Sequence, residues 1–170
     1  AGMGAFVTFD EIAHFALGDV AVPDDAMEMA ATLLIDTLGV AAGAAGLRVA
    51  RIARDHAVRF HAGADAADRA TLLFDGRQAS LPGAAFAAAT QIDNLDAHDG
   101  YNPTKGHIGC AVVPALCALA EHAPDLSGRN ALRALVLSYE LSARAATALH
   151  ATVDDYHTSG AWNALGVAAL

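Results

Sequence analysis

The sequence predicts an all-helical fold, and three observations lead there. Alanine dominates a chain that is 55% hydrophobic but only 6% aromatic. Alanine and leucine favour helix, whereas a sheet protein would carry more β-branched and aromatic residues. Helix-start chemistry stands at Pro23 with Asp24 and Asp25, and again at Ser80 with Pro82. Beyond these starts, apolar residues recur every three or four positions. At 170 residues the chain is long enough for one domain, 1–170, with a real core.

Taken in order, Phe9 to Ala16 reads as a short first helix stopped near Gly18. From Pro23, the residues Met27, Ala30, Ala31, Leu34 and Leu38 fall at helical spacing as far as a run rich in alanine and glycine. Gly39, Gly43 and Gly46 share one face there, which predicts close helix packing; with no strand before them, phosphate binding is disfavoured. Arg48 to His61 predicts a second long helix, with Val49, Ile52, Ala53, His56 and Phe60 near one side. His56 and His61 have no clustered partners in the sequence and read as surface or satisfied core histidines. Thr71–Phe74 is a short β-like piece closed by Asp75-Gly76, and Gly83 to about Leu95 is an alanine-rich helix. Ile108 to Glu121 returns to helix, with Pro114 in its first turns or kinking it. Gly128 to Leu149 follows, carrying an apolar stripe through Leu132, Leu135, Val136 and Tyr139 and an exposed pair at Glu140 and Arg144. Thr158 or Ser159 can cap a last helix through Trp162 to Leu170. The chain stops inside that apolar run, as a fragment of a longer protein would.

A formal net charge of −9 argues against nucleic-acid binding, which needs a basic patch. No apolar run reaches the eighteen or so uncharged residues of a membrane span, and the first ten residues lack a basic leader, so cytoplasm is the expected compartment. The mean hydropathy of +0.35 is high, so some apolar surface is expected to lie against another chain or domain. If Cys110 and Cys117 share one helix they stand roughly 10 Å apart along its axis, too far for a disulfide.

Chemistry concentrates between Ile92 and Cys110, I-D-N-L-D-A-H-D-G-Y-N-P-T-K-G-H-I-G-C, which gathers three aspartates, two histidines and the only lysine. Gly100, Pro103, Gly106 and Gly109 make it a loop between helices. A second polar knot, His150 to Gly160, contains Asp154, Asp155 and His157. Each knot follows a long helix, so antiparallel packing could bring both to one end of a bundle. Asp96, His98, Asp99, Lys105, His107 and His157 could then serve acid–base catalysis, with Lys105 holding a substrate carboxylate. Asp96, Asp99, His107 and His157 could instead ligate a divalent metal, although neither H-x-x-x-H nor H-E-x-x-H occurs. A third reading is a truncated helical interaction module whose knots are merely solvated.

Five stretches in order resemble the MmgE/PrpD family, which includes 2-methylcitrate dehydratase, cis-aconitate decarboxylase and iminodisuccinate epimerase. They are D-T-L-G-V at 36–40, F-D-G at 74–76 leading to I-D-N-L-D-A-H-D, K-G-H-I-G-C-A-V-V-P-A-L-C-A-L-A-E at 105–121, S-Y-E-L-S-A-R at 138–144 and Y-H-T-S-G-A-W-N-A-L-G-V-A-A at 156–169. The resemblance implies a helical domain of the family type, lacking the second, α+β domain of members two to three times longer. It implies proton transfer beside a carboxylate of a small di- or tricarboxylic acid, in a homodimer, without a cofactor or metal. Asp96, His107 and His157 match its catalytic positions, and Lys105, Asp99, Thr104 and Tyr156 are assigned to substrate binding. Two departures stand out: Asp99-Gly100 replaces the family's D-D-T, and Ile108 follows His107 where proline is usual.

Overall fold

The computed structural model describes residues 8–155 and 158–170. Among them are seven α-helices and one two-stranded hairpin: α1 (Phe9–Leu17), α2 (Asp24–Ala44), α3 (Arg48–Phe60), β1 (Arg69–Thr71), β2 (Gln78–Ser80), α4 (Leu81–Leu95), α5 (Gly109–Ala120), α6 (Gly128–Thr152) and α7 (Gly160–Val167). The all-helical expectation holds, and local chemistry explains the boundaries. A capping box between Thr8 and Glu11 starts α1. The Ser80 hydroxyl accepts from the Gly83 N–H at the head of α4, and the Ser127 hydroxyl does the same for Asn130 in α6. Pro114 is carried inside α5, and Cys110 and Cys117, both on that helix, are free thiols.

Helices α4 and α5 pack on each other, α3 packs on α4, α7 packs on α5 and α6, and α2 lies against α4, α5 and α6. The larger core cluster joins Ala30, Ile108, Val112, Val113, Leu116, Leu135, Ala146 and Trp162. A second is built almost wholly from alanines of α3, α4 and the hairpin, with Leu72 and Ala118. Small side chains let those backbones approach closely. One buried polar truss crosses this core. Arg54, 8% exposed, donates to Gln91 Oε1 and to the Ala45 carbonyl, both at 2.8 Å, and its Nε lies 3.2 Å from Asp75 Oδ2. Gln91 in turn donates to the Ala41 carbonyl at 2.6 Å. The truss ties α2, α3 and α4 to the hairpin turn through two hydrogen bonds of Arg54 and its ion pair with Asp75, and a buried polar network of this kind favours one arrangement of helices.

Several expectations need correction. The β-like piece is shifted: the strands pair Arg69 with Ser80 and Thr71 with Gln78, and residues 72–77 form the turn. Leu73 and Phe74 lie in it because Phe74 and Gly76 take positive φ, 58° and 84°. The face of α3 that packs inward carries Ala50, Ala53, Arg54 and Ala57, so Ile52 and Phe60 point outward instead. His56 is not alone, since its ring lies 5.3 Å from that of His61 and beside Phe60 and Phe86. The predicted glycine face meets another helix at one position only: a Cβ at Gly43 would contact Leu95 of α4 at 3.6 Å, whereas one at Gly39, or at Gly46 just beyond α2, would touch nothing within 4 Å. Ser159 stands at the head of α7 without capping it through its hydroxyl. By length and composition α2 could cross a membrane, which the residue-by-residue scan for uncharged runs missed because Glu28 and Asp36 interrupt it. Its buried residues, Met27, Ala30, Thr37, Val40, Ala41 and Ala44, face the bundle. Its outer face leaves Met29 and Ile35 exposed.

Candidate active site

The loop between α4 and α5 begins at the end of α4, where Asp96 takes the left-handed C-cap position at φ 54° and its N–H donates to the Asp93 carbonyl. Aspartate is among the few non-glycine residues that accept this conformation readily. Its carboxylate is thereby held at the mouth of the loop, exposed to solvent. Farther on, the Tyr101 N–H donates to the Gly106 carbonyl at 2.7 Å and closes a small ring around the 3-10 turn Asn102–Thr104. Lys105 ends that turn at φ 53°, its ammonium donating to Asn102 Oδ1 at 3.0 Å on the surface. Thr104 is buried, and its hydroxyl has no hydrogen-bond partner.

His107 is the most constrained side chain of the loop. Its Nδ1 lies 2.7 Å from the Asp99 carbonyl oxygen. A carbonyl only accepts, so Nδ1 carries a hydrogen, and in the neutral ring the lone pair is on Nε2. The backbone carbonyl of His107 accepts from Asn163 Nδ2 on α7 at 2.7 Å. Asp99 is itself anchored: Oδ2 accepts from the Gly109 N–H at 3.3 Å and the Tyr139 hydroxyl at 3.2 Å, while Oδ1 is buried without a partner. Burial, and after it the Asp99 charge, pushes the Tyr139 phenol well above its ordinary range, so it stays a donor. Only a glycine permits this convergence, because a Cβ at position 109 would run into Asp99 Oδ1, Tyr139 Oη and Thr37 Oγ1. Beneath His107 lies His98, ring centroids 4.1 Å apart. Burial, reinforced by the charge of His107, lowers the basicity of His98 against the opposing pull of Asp93, Asp99 and Asp96.

The sequence profile of the MmgE/PrpD N-terminal domain matches residues 11–170. The chain belongs to the MmgE/PrpD family. No curated protein and no solved structure matches it. The family includes dehydratases and related enzymes.

On this MmgE/PrpD chain the predicted residues fall into three groups. Asp99 and His107 meet directly, backbone to ring. Asp96, Lys105 and Thr104 stand on the same loop, but among the described residues no hydrogen bond joins Asp96 to His107, and Lys105 faces Asn102. Tyr156 and His157 lie outside the described residues. Their chain neighbours do reach the loop, since a Cβ on Gly106 would collide with Ser159 and Trp162, and Asn163 holds His107 from behind. The residues that sequence reading missed are those that support the site. Tyr139 reads from its spacing as part of an apolar stripe and Asn163 carries no signal of its own, and nothing in local spacing announces a bond made across 40 or 56 positions. An open groove of about 550 Å³ runs beside the loop, between Tyr101 and the flank of α6 that carries Glu140, Arg144 and Thr147. Of the predicted metal-ligand set, Asp99 Oδ2 is engaged by Gly109 and Tyr139 and His107 Nδ1 by the Asp99 backbone carbonyl, while His157 lies outside the described residues. The metal-ligand donors that converge among the described residues are instead Asp93, His98 and Cys110.

Proposed function

We propose that this chain is the N-terminal helical part of an acid/base lyase or isomerase that acts on a small di- or tricarboxylic acid and needs no cofactor. His107 carries the reading: the Asp99 carbonyl engages Nδ1, which leaves the Nε2 lone pair for a substrate proton. Asp96 returns or relays the proton from the mouth of the loop. His157 orients the substrate, and Lys105 neutralises a carboxylate after its ammonium leaves Asn102. Asp99, Thr104 and Tyr156 complete the binding set. Dehydration of the 2-methylcitrate type comes first among the candidate outcomes, ahead of decarboxylation and epimerisation. The enzyme works in the cytoplasm as a homodimer, and the exposed Met29 and Ile35 on α2 suit a face covered by another chain.

The test is a panel of small hydroxy- and unsaturated polycarboxylates, offered to the full-length protein in deuterated water and followed by NMR. Deuterium gained next to a carboxylate, lost in His107→Gln, is the expected result. No exchange and no turnover with any member of the panel would sink the reading. An interaction module is the second reading, favoured by the exposed Phe9, Leu17, Ile35 and Phe60. It predicts that Asp96→Ala and His107→Gln leave oligomeric state and stability unchanged and that no ligand responds.

A further inference from the structure

Three elements bring an unlike set of donors together beside His107. Asp93 comes from the last turn of α4, His98 from the loop and Cys110 from the first turn of α5. One ligand atom from each lies within 4.8 Å of the others. The His98 side chain is 0% exposed, and among the described residues neither ring nitrogen has a hydrogen-bond partner; Nε2 stands 3.5 Å from Asp93 Oδ1. A neutral imidazole holds one N–H and one lone pair, and leaving them buried and unmatched costs about 1–3 kcal/mol each. Buried polar groups are ordinarily satisfied, so a ring with both nitrogens unmet calls for a partner.

We propose that Asp93, His98 and Cys110 form a binding site for a borderline-soft divalent cation, with zinc the ion that fits this donor set best. One nitrogen, one sulfur and one carboxylate oxygen are ordinary zinc ligands, and three protein ligands with a fourth position left to water is an open zinc site. Bonds of about 2.0–2.3 Å place tetrahedral ligands roughly 3.3–3.8 Å apart. The donors therefore need to close by up to about 1.5 Å, part of which the exposed Asp93 side chain can supply by rotation. Charge favours the same ion. Asp93, Asp96 and Asp99 all act on His98, so the surroundings are negative. Burial first, then Asp93 and Asp99, pushes the Cys110 thiol up to about 12. A dication reverses that balance. The S–H bond breaks, its proton leaves to solvent, water leaves the ion, and sulfur binds the metal. Zinc, one thiolate and one carboxylate then sum to zero charge in a mostly buried place. The bound ion would stand against the His98 ring, 4.1 Å from that of His107. The site rests on these three side chains and not on the proposed reaction, so either can fail without the other.

The test is titration of cobalt(II) into the purified, chelator-stripped protein under reducing conditions, followed by displacement with zinc. The expected result is one cobalt per chain, with a thiolate-to-cobalt charge-transfer band and the intense visible bands of tetrahedral coordination. Cys110→Ser loses the charge-transfer band. Asp93→Asn, at an exposed position where folding is not at risk, weakens zinc at least about tenfold. Cys117→Ser changes nothing. The absence of saturable binding would overturn the proposal, as would a charge-transfer band that survives in Cys110→Ser, or zinc affinity unchanged in Asp93→Asn.

Discussion

Gly109→Ala is the perturbation that probes the site most directly. The added Cβ has no room: Asp99 Oδ1, Tyr139 Oη and Thr37 Oγ1 surround it, and the Tyr139 hydroxyl is one of the two donors that fix Asp99. Overpacking of this kind costs about 1–3 kcal/mol. The gain in helix propensity from glycine to alanine is at most about 1 kcal/mol and smaller in a first turn, so the clash wins. At roughly 2–4 °C per kcal/mol for a chain of this size, Tm falls by about 2–12 °C. Urea unfolding should show a lower midpoint at unchanged slope. Tyr139→Phe removes one of the colliding oxygens, so the double variant should recover at least about 0.5 kcal/mol relative to the sum of the singles. An unchanged midpoint in Gly109→Ala, or strict additivity with Tyr139→Phe, would refute the claim that these groups meet over Gly109.

Gly39→Ala should do the opposite, because its Cβ meets nothing within 4 Å and the position is helical. A gain of about 0.5–1 kcal/mol is expected by thermal unfolding, and a loss accompanied by dissociation would mean that a second chain lies on that face. Arg54→Leu leaves Gln91 Oε1 and the Ala45 carbonyl without their donor, at about 1–3 kcal/mol each, read by the same method. His98 gives a pH signature with a definite sign. Its folded pKa lies below the ordinary histidine value of about 6.5, so below that pH the unfolded chain binds more protons and stability falls as pH drops. The slope from this one group is at most about 1.4 kcal/mol per pH unit, and urea midpoints between pH 5 and 7.5 should flatten in His98→Asn. His107→Gln should lower turnover by about 10²-fold or more while leaving the unfolding midpoint nearly unchanged.

What could be read from the chain was what local chemistry determines. Pro23 with Asp24 and Asp25, and Ser80 with Pro82, mark helix starts because the chemistry of a helix N-terminus is decided within three or four residues. The Ile92–Cys110 loop was legible for the same reason, since glycine, proline and clustered acids interrupt an alanine-rich pattern. The face of α3 was not. Its alanines pack inward against other alanines, and hydrophobicity alone points to Ile52 and Phe60 instead. Close packing of small residues and outward-facing large ones inverts the usual rule, and only tertiary contact reveals it. Arg54 was missed because a buried guanidinium is expected only where partners from several elements meet it, and those partners, at 45, 75 and 91, are far apart in sequence.

This arrangement also explains how so alanine-rich a bundle holds a loop steady. Alanine cores bury little area per residue and leave helices free to slide, because smooth surfaces interlock poorly. The Arg54–Gln91 truss opposes sliding near the C-terminal end of α4, and just beyond that end Asp99 is held by Gly109 of α5 and Tyr139 of α6. Asn163 adds α7 to the same knot through the His107 carbonyl. His107 is therefore positioned by polar bonds from α6, through Tyr139 and Asp99, and from α7, not by the apolar core beneath it. Weakening either support should move its ring before it unfolds the bundle. Asn163→Ala separates the two effects. It removes one hydrogen bond, worth about 0.5–1.5 kcal/mol. A shift of the His107 ring resonances larger than the accompanying change in Tm warrants is the expected result. Ring resonances unmoved while the midpoint falls would show that the core, and not the polar knot, sets the position of His107.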